Sequence, residues 1–125
     1  MLPDRSPLQS KGPSITARRQ AFAVEAEAAQ RAYASGQLAD AFHHLERAHI
    51  LGQPWPGPHS WTHWMMLRIG WRRRDWREIR GQLLRFLAGG LLSRLGALPV
   101  GNTGGADVPP EQPMPLPADL AELCR

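Results

Sequence analysis

The sequence predicts an all-α fold, and three observations carry that expectation. All 12 prolines fall within residues 3–13, 54–58 or 99 onward, which leaves the windows 14–53 and 59–98 free of them. Proline removes a helical hydrogen bond and its ring collides with the preceding turn, so long proline-free stretches favour helix. Inside both windows apolar residues recur three or four positions apart, and the pattern is interrupted at Ser35-Gly36, Gly52 and Gly70. About four helices follow, paired as two antiparallel hairpins.

Each helix has its own grounds. Ser14 or Thr16 can cap a first helix to about Ala34, with Ile15, Phe22, Ala26, Ala29 and Tyr33 as its inward stripe. A second, from about Leu38 to Leu51, turns Leu38, Ala41, Phe42, Leu45 and Ala48 inward and stops at Gly52. The linker Gly52-Gln53-Pro54-Trp55-Pro56-Gly57-Pro58 then delays the third until His59, from where it runs to about Arg72. After the turn Arg72-Arg73-Arg74 a fourth extends from about Asp75 to Leu92 or beyond, with Trp76, Ile79, Leu83, Phe86, Leu87 and Leu91 on one side. Residues 1–13 are expected to be disordered, 14–98 form the helical domain, and 99–125 make a glycine- and proline-rich strap. The strap's segment Pro109 to Pro117 suits an extended polyproline form, and Asp119 can open a last helical turn from Leu120 to Leu123.

A register that carries Gly36 onto Gly70 also carries Phe42 onto Trp76 and Leu45 onto Ile79. This spacing of about 34 residues, with Gly36, Ala41, Leu45 and Ala48, resembles a tetratricopeptide repeat. The second copy departs from the pattern, because Asp75 and Gln82 stand where Ala41 and Ala48 stood. In the same register His63 takes the inward position of Ala29, and a buried ring nitrogen there needs a partner.

Composition narrows the class of function. The 125 residues suit one domain with tails, and 42% hydrophobic content is ordinary for a globular chain. The lone Cys124 has no internal disulfide partner, which suits a reducing cytoplasm. Residues 1–11 contain no apolar run and do not read as a secretory signal. The most apolar stretch, 83–100, is interrupted by Arg85, Arg94 and glycines, and falls short of the roughly 20 apolar residues of a spanning helix. Net charge is +4, with seven arginines from Arg68 to Arg85 against Asp75 and Glu78. Such a patch reads as a solvated helix face, and no nucleic-acid-reading motif accompanies it.

The histidines supply the sharpest chemistry. His59, His63, Met66 and Gly70 share one helix face, and Glu46 and His49 share a face of the preceding helix. Because the linker joins the end of one helix to the start of the next, His49, His59 and His63 belong to one corner. With Glu46 as a fourth donor they could converge on zinc; Met66 would shift the preference toward copper(I). Trp55, Trp61 and Trp71 offer a second site, an aromatic surface for a protein or peptide partner. Ser60 beside His59 points elsewhere on the helix, and no nucleophile–base pair is present, so an enzyme would have to work through the histidine–carboxylate corner. Gly101 to Gly105 reads as a tight loop that uses glycine for positive φ.

The segments Leu45 to Gln53, His59-x3-His63-Trp-x-Met-Leu67, Gly81 to Arg85, Pro99 to Gly105 and Pro113-Met-Pro-Leu-Pro-x-Asp-Leu120 together resemble a small bacterial family, domain of unknown function 3703. The resemblance spans about residues 20–123 and implies a bacterial, stand-alone soluble domain. It brings no catalytic residues. The leading expectation is a non-enzymatic helical module that binds a protein or peptide, and the alternative is a zinc- or copper-binding protein.

Overall fold

A computed structural model describes residues 15–94, 104–106 and 112–125, with the side chains of 86–94 excluded. The expected disordered tail, the side chains of the stripe residues Phe86, Leu87 and Leu91, the loop residues 99–103 and residues 109–111 of the proline-rich segment lie outside the described residues. Among the described residues four long helices make up the body: α1 (Ile15–Ala34), α2 (Leu38–Gly52), α3 (Pro56–Arg73) and α4 (Trp76–Arg94). A single turn, α5 (Ala118–Ala121), follows near the C-terminus. All secondary structure among the described residues is helical, as the sequence led us to expect. None of these helices is long and apolar enough to cross a membrane.

Consecutive helices pack on one another, α1 on α2, α2 on α3 and α3 on α4. The Arg18 guanidinium, near the start of α1, donates to the Leu51 and Ile50 carbonyls at the end of α2, at 2.8 and 3.0 Å. Those carbonyls lack helical partners, and a cation at a helix C-terminus also favours the local dipole. Arg18 therefore sets α1 and α2 in opposite directions. Gly36 makes the reversal between them, with φ of 77°. The Gln37 N–H reaches back to the Ala32 carbonyl and the Gly36 N–H to the Tyr33 carbonyl, the Schellman pattern that a left-handed residue closes.

The core holds Ala29, Ala41, Leu45, Met65, Met66 and Ile69, joined by Ala32, Tyr33, Leu38, Phe42 and Trp61. A second cluster lies toward the histidine end of α2, where Ile50 and Leu51 meet Ala21, Phe22, Leu116, Leu120, Leu123 and Cys124. The C-terminal segment is thus packed onto the helices, and Arg47 adds polar contacts there, pairing with Glu25 of α1 and with Asp119 of α5.

Three expectations need correction. The third helix begins at Pro56, three residues before His59, because proline at the first helical position lacks only an N–H that would be unbonded anyway. On α1, Ile15 is 70% exposed; it precedes the part of the helix that α2 covers. On α4 the apolar side expected from the sequence holds only in part, at Ile79. Trp76 and Leu83 are exposed, and the buried residues are Glu78, Ile79, Gln82 and Arg85. A polar set turns inward because it has polar work to do at the histidines.

Between α3 and α4 the chain reverses through Arg74, whose φ of 54° is left-handed. Its N–H bonds to the Trp71 carbonyl and that of Asp75 to the Gly70 carbonyl. The Asp75 carboxylate then accepts the Glu78 backbone N–H at 3.1 Å and caps α4.

Candidate metal centre

His49 lies in the last turn of α2, and His59 and His63 occupy successive turns at the start of α3. The three-residue connection Gln53-Pro54-Trp55 keeps those helix ends together, and its tightness is visible at Gly52. A Cβ on Gly52 would stand 2.7 Å from the Phe22 ring and 3.1 Å from Pro58. Above the connection, Trp55 lies beneath the Arg19 guanidinium at 4.7 Å and near that of Arg18 at 5.7 Å. These contacts fix the angle at which α3 leaves the turn.

The result is a three-bladed arrangement of imidazoles. Ring centroids are 4.7, 4.8 and 4.8 Å apart, with interplanar angles of 60°, 75° and 65°. All three Nε2 atoms point inward: His49 to His59 is 2.9 Å, His59 to His63 3.1 Å and His49 to His63 3.2 Å. The side chains are buried, at 3%, 8% and 7% exposure for His49, His59 and His63. Among the described residues these three make the group of mutually close metal-donor atoms. Glu46, half-buried one turn earlier on α2, is outside that group.

Around the rings a polar lattice determines their protonation. The Gln82 amide nitrogen donates to the Glu78 carboxylate at 2.7 Å and to the Gly104 carbonyl at 2.8 Å. Both acceptors lack hydrogens, so the other end of the amide, Oε1, must face His63 Nδ1, at 2.6 Å. The proton therefore sits on Nδ1, and the inward Nε2 of neutral His63 carries a lone pair. Burial, assisted by the nearby charges of His59 and Arg85, pushes the His63 pKa down to about 4, against the opposing effect of its hydrogen bond to Gln82. Burial lowers the His59 pKa as well. Neutral imidazole is the form that binds metals.

A short stretch of chain roofs the corner. Gly104 has φ of 83°, and a Cβ there would stand 2.6–2.8 Å from the His49 ring. Arg85, itself buried, donates to the Gly104 and Gly105 carbonyls, and the Glu78 carboxylate accepts the Ala106 N–H at 3.0 Å. Gly81 leaves room for this approach, since a Cβ on it would overlap Ala106. Glu78, Gln82 and Arg85, about one turn apart on one face of α4, thus fasten residues 104–106 over His49.

Sequence reasoning named the three histidines and missed these fasteners. Gln82 had left one trace, as a large polar residue where the repeat calls for alanine. Arg85 was counted with a solvated face, yet it is 8% exposed. Met66, considered as a soft ligand, instead puts its sulfur 3.4 Å from the Gln82 amide. The tryptophans take separate places: Trp55 is half-buried under the α1 arginines, Trp61 packs edge-on against Phe22 at 6.1 Å, and Trp71 is exposed.

Residues 16–124 match the family described as protein of unknown function (DUF3703). The chain belongs to that family. No curated protein and no solved structure matches it in the comparisons made. The functional argument therefore starts from the site itself.

Proposed function

We propose that this DUF3703 protein binds one transition-metal ion through His49, His59 and His63, with zinc as the reference ion and copper as its main competitor. The observation that carries the reading is the triangle of Nε2 atoms. In a hydrogen bond one nitrogen carries the proton and the other the lone pair. Three atoms that all face one another cannot alternate between two states. At least one edge must set lone pair against lone pair or N–H against N–H at about 3 Å. An ion at the centre accepts all three lone pairs and removes the conflict.

The dimensions agree. Two nitrogens bound tetrahedrally at 2.0–2.1 Å stand about 3.3 Å apart, within a few tenths of an ångström of the observed edges. Imidazole nitrogens suit zinc, copper and nickel, whereas calcium and magnesium seek oxygen. The roof of Gly104 and the buried rings favour holding an ion over turning over a substrate. Such an ion would join α2 to α3 and, through Gln82, to α4.

Full-length protein purified without a histidine tag tests this by elemental analysis and by melting with and without added zinc. Near one equivalent of metal and a raised melting temperature are expected, both lost in His59→Ala/His63→Ala. Protein that takes up no ion and melts identically with zinc and with copper would overturn the proposal.

A further inference from the structure

Beyond the metal corner, and independent of it, the opposite end of α3 carries a groove with the character of a docking site. It encloses about 380 Å³. Trp64, Leu67 and Trp71 of α3 and Ile79 and Leu83 of α4 supply its apolar lining, and Arg68, Arg72 and Tyr33 complete it. On α3 these residues fall at i, i+3, i+4 and i+7, one continuous stripe. Trp64, Trp71 and Leu83 are 51%, 66% and 50% exposed, and Trp76, stacked edge-on against Trp71, is 66% exposed. A solvated patch built from three tryptophans is unusual on a monomer, and tryptophan is the residue that most often anchors an interface.

The charge around the groove selects its occupant. Arg68, Arg72, Arg73, Arg74, Arg77 and Arg80 are all exposed. The acidic residues of this stretch are already engaged: Asp75 caps α4, and Glu78 is buried against Gln82 and Ala106. The rim is also held in place. The Arg68 and Arg72 guanidinium groups lie 4.8 and 4.7 Å over the Tyr33 ring, and Arg72 donates to the Tyr33 carbonyl at 2.9 Å. A cation held in position loses little freedom on meeting an anion. A second copy of the chain, docking face to face, would set arginine against arginine.

We infer that this groove binds an acidic amphipathic helix of a protein partner, with apolar side chains seated between α3 and α4 and carboxylates toward Arg68 and Arg72. Two helices already form the walls, and a third laid between them supplies anchors at matching helical spacing.

The test uses the full chain and a synthetic helical peptide with leucine and phenylalanine at i, i+3, i+4 and i+7 and glutamate elsewhere, beside a copy with lysine for every glutamate. Tryptophan emission should shift on titration with the glutamate peptide, at micromolar affinity, and the lysine peptide should not bind. Trp71→Ala should weaken binding by about tenfold or more, and Arg68→Glu should weaken binding of the glutamate peptide severalfold. Equal binding of both peptides, or binding unchanged in Trp71→Ala, would overturn the inference. So would Trp71-dependent self-association, or capture by phosphatidylserine vesicles with no response to the peptide. Both substitutions replace exposed side chains, so circular dichroism should report an unchanged fold.

Discussion

His63 donates its Nδ1–H to Gln82 Oε1 at 2.6 Å, and in doing so leaves its Nε2 lone pair facing the other two histidines. The amide cannot turn over, because its nitrogen is held by Glu78 and Gly104. One buried glutamine therefore settles which tautomer His63 presents to His49 and His59.

Replacing that glutamine should be felt first in metal affinity. Gln82→Leu keeps most of the volume and removes the acceptor, which frees His63 to move its proton inward. Loss of such an outer hydrogen bond costs about 10–100-fold in affinity. Competition for zinc against a chromophoric chelator measures it, and an unchanged affinity would mean the tautomer is set elsewhere.

Gly104 should be intolerant where Gly57 is not. A methyl at position 104 meets the His49 ring and a left-handed backbone together, so Gly104→Ala should destabilise by about 1–3 kcal/mol. At Gly57 an added Cβ meets nothing within 4 Å, and Gly57→Ala should change stability by less than about 1 kcal/mol. Urea denaturation of both variants checks the contrast. The zinc-induced rise in melting temperature should shrink in the first and persist in the second.

The pH dependence of the metal-free protein follows from the buried rings. His63 has a folded pKa of about 4 against 6.5 when unfolded, so between those values the unfolded chain binds more protons. Its contribution is present above about pH 6.5 and is lost as pH falls toward 4. For His63 alone the change from pH 7 to pH 5 is about 2 kcal/mol, and His59, shifted the same way by burial, adds to it. Denaturation in the presence of chelator should show stability rising with pH across this window. A flat profile would mean that water reaches the rings.

How much of this was legible in the sequence depends on distance along the chain. His49, His59 and His63 could be grouped because a short linker joins their helices and the last two are one turn apart. The helices themselves were legible from glycine stops and from proline's exclusion, although Pro56 shows that exclusion fails in a first helical turn. The inward face of α4 was not. Apolar periodicity found Ile79 but also pointed to Trp76 and Leu83, whereas Glu78, Gln82 and Arg85 share the buried face and each bond to backbone groups of residues 104–106. Hydrogen bonds to a distant backbone leave no periodic trace. Gly104 looked like an ordinary turn glycine for the same reason, since His49 lies far away in sequence.

Arg85 should govern how fast an ion leaves. It fastens the Gly104 and Gly105 carbonyls. Arg85→Leu should speed zinc release to excess chelator severalfold in stopped-flow measurements, with the spectrum of the cobalt-substituted site unchanged. A release rate equal to that of the parent protein would remove the roof's role.

The most direct test is the coordination shell of the loaded ion. X-ray absorption on full-length protein carrying one equivalent of zinc should give three imidazole nitrogens at about 2.0–2.1 Å, falling to fewer in His63→Ala. A shell dominated by sulfur or by water oxygens, or one that His63→Ala leaves unaltered, would contradict the shared site.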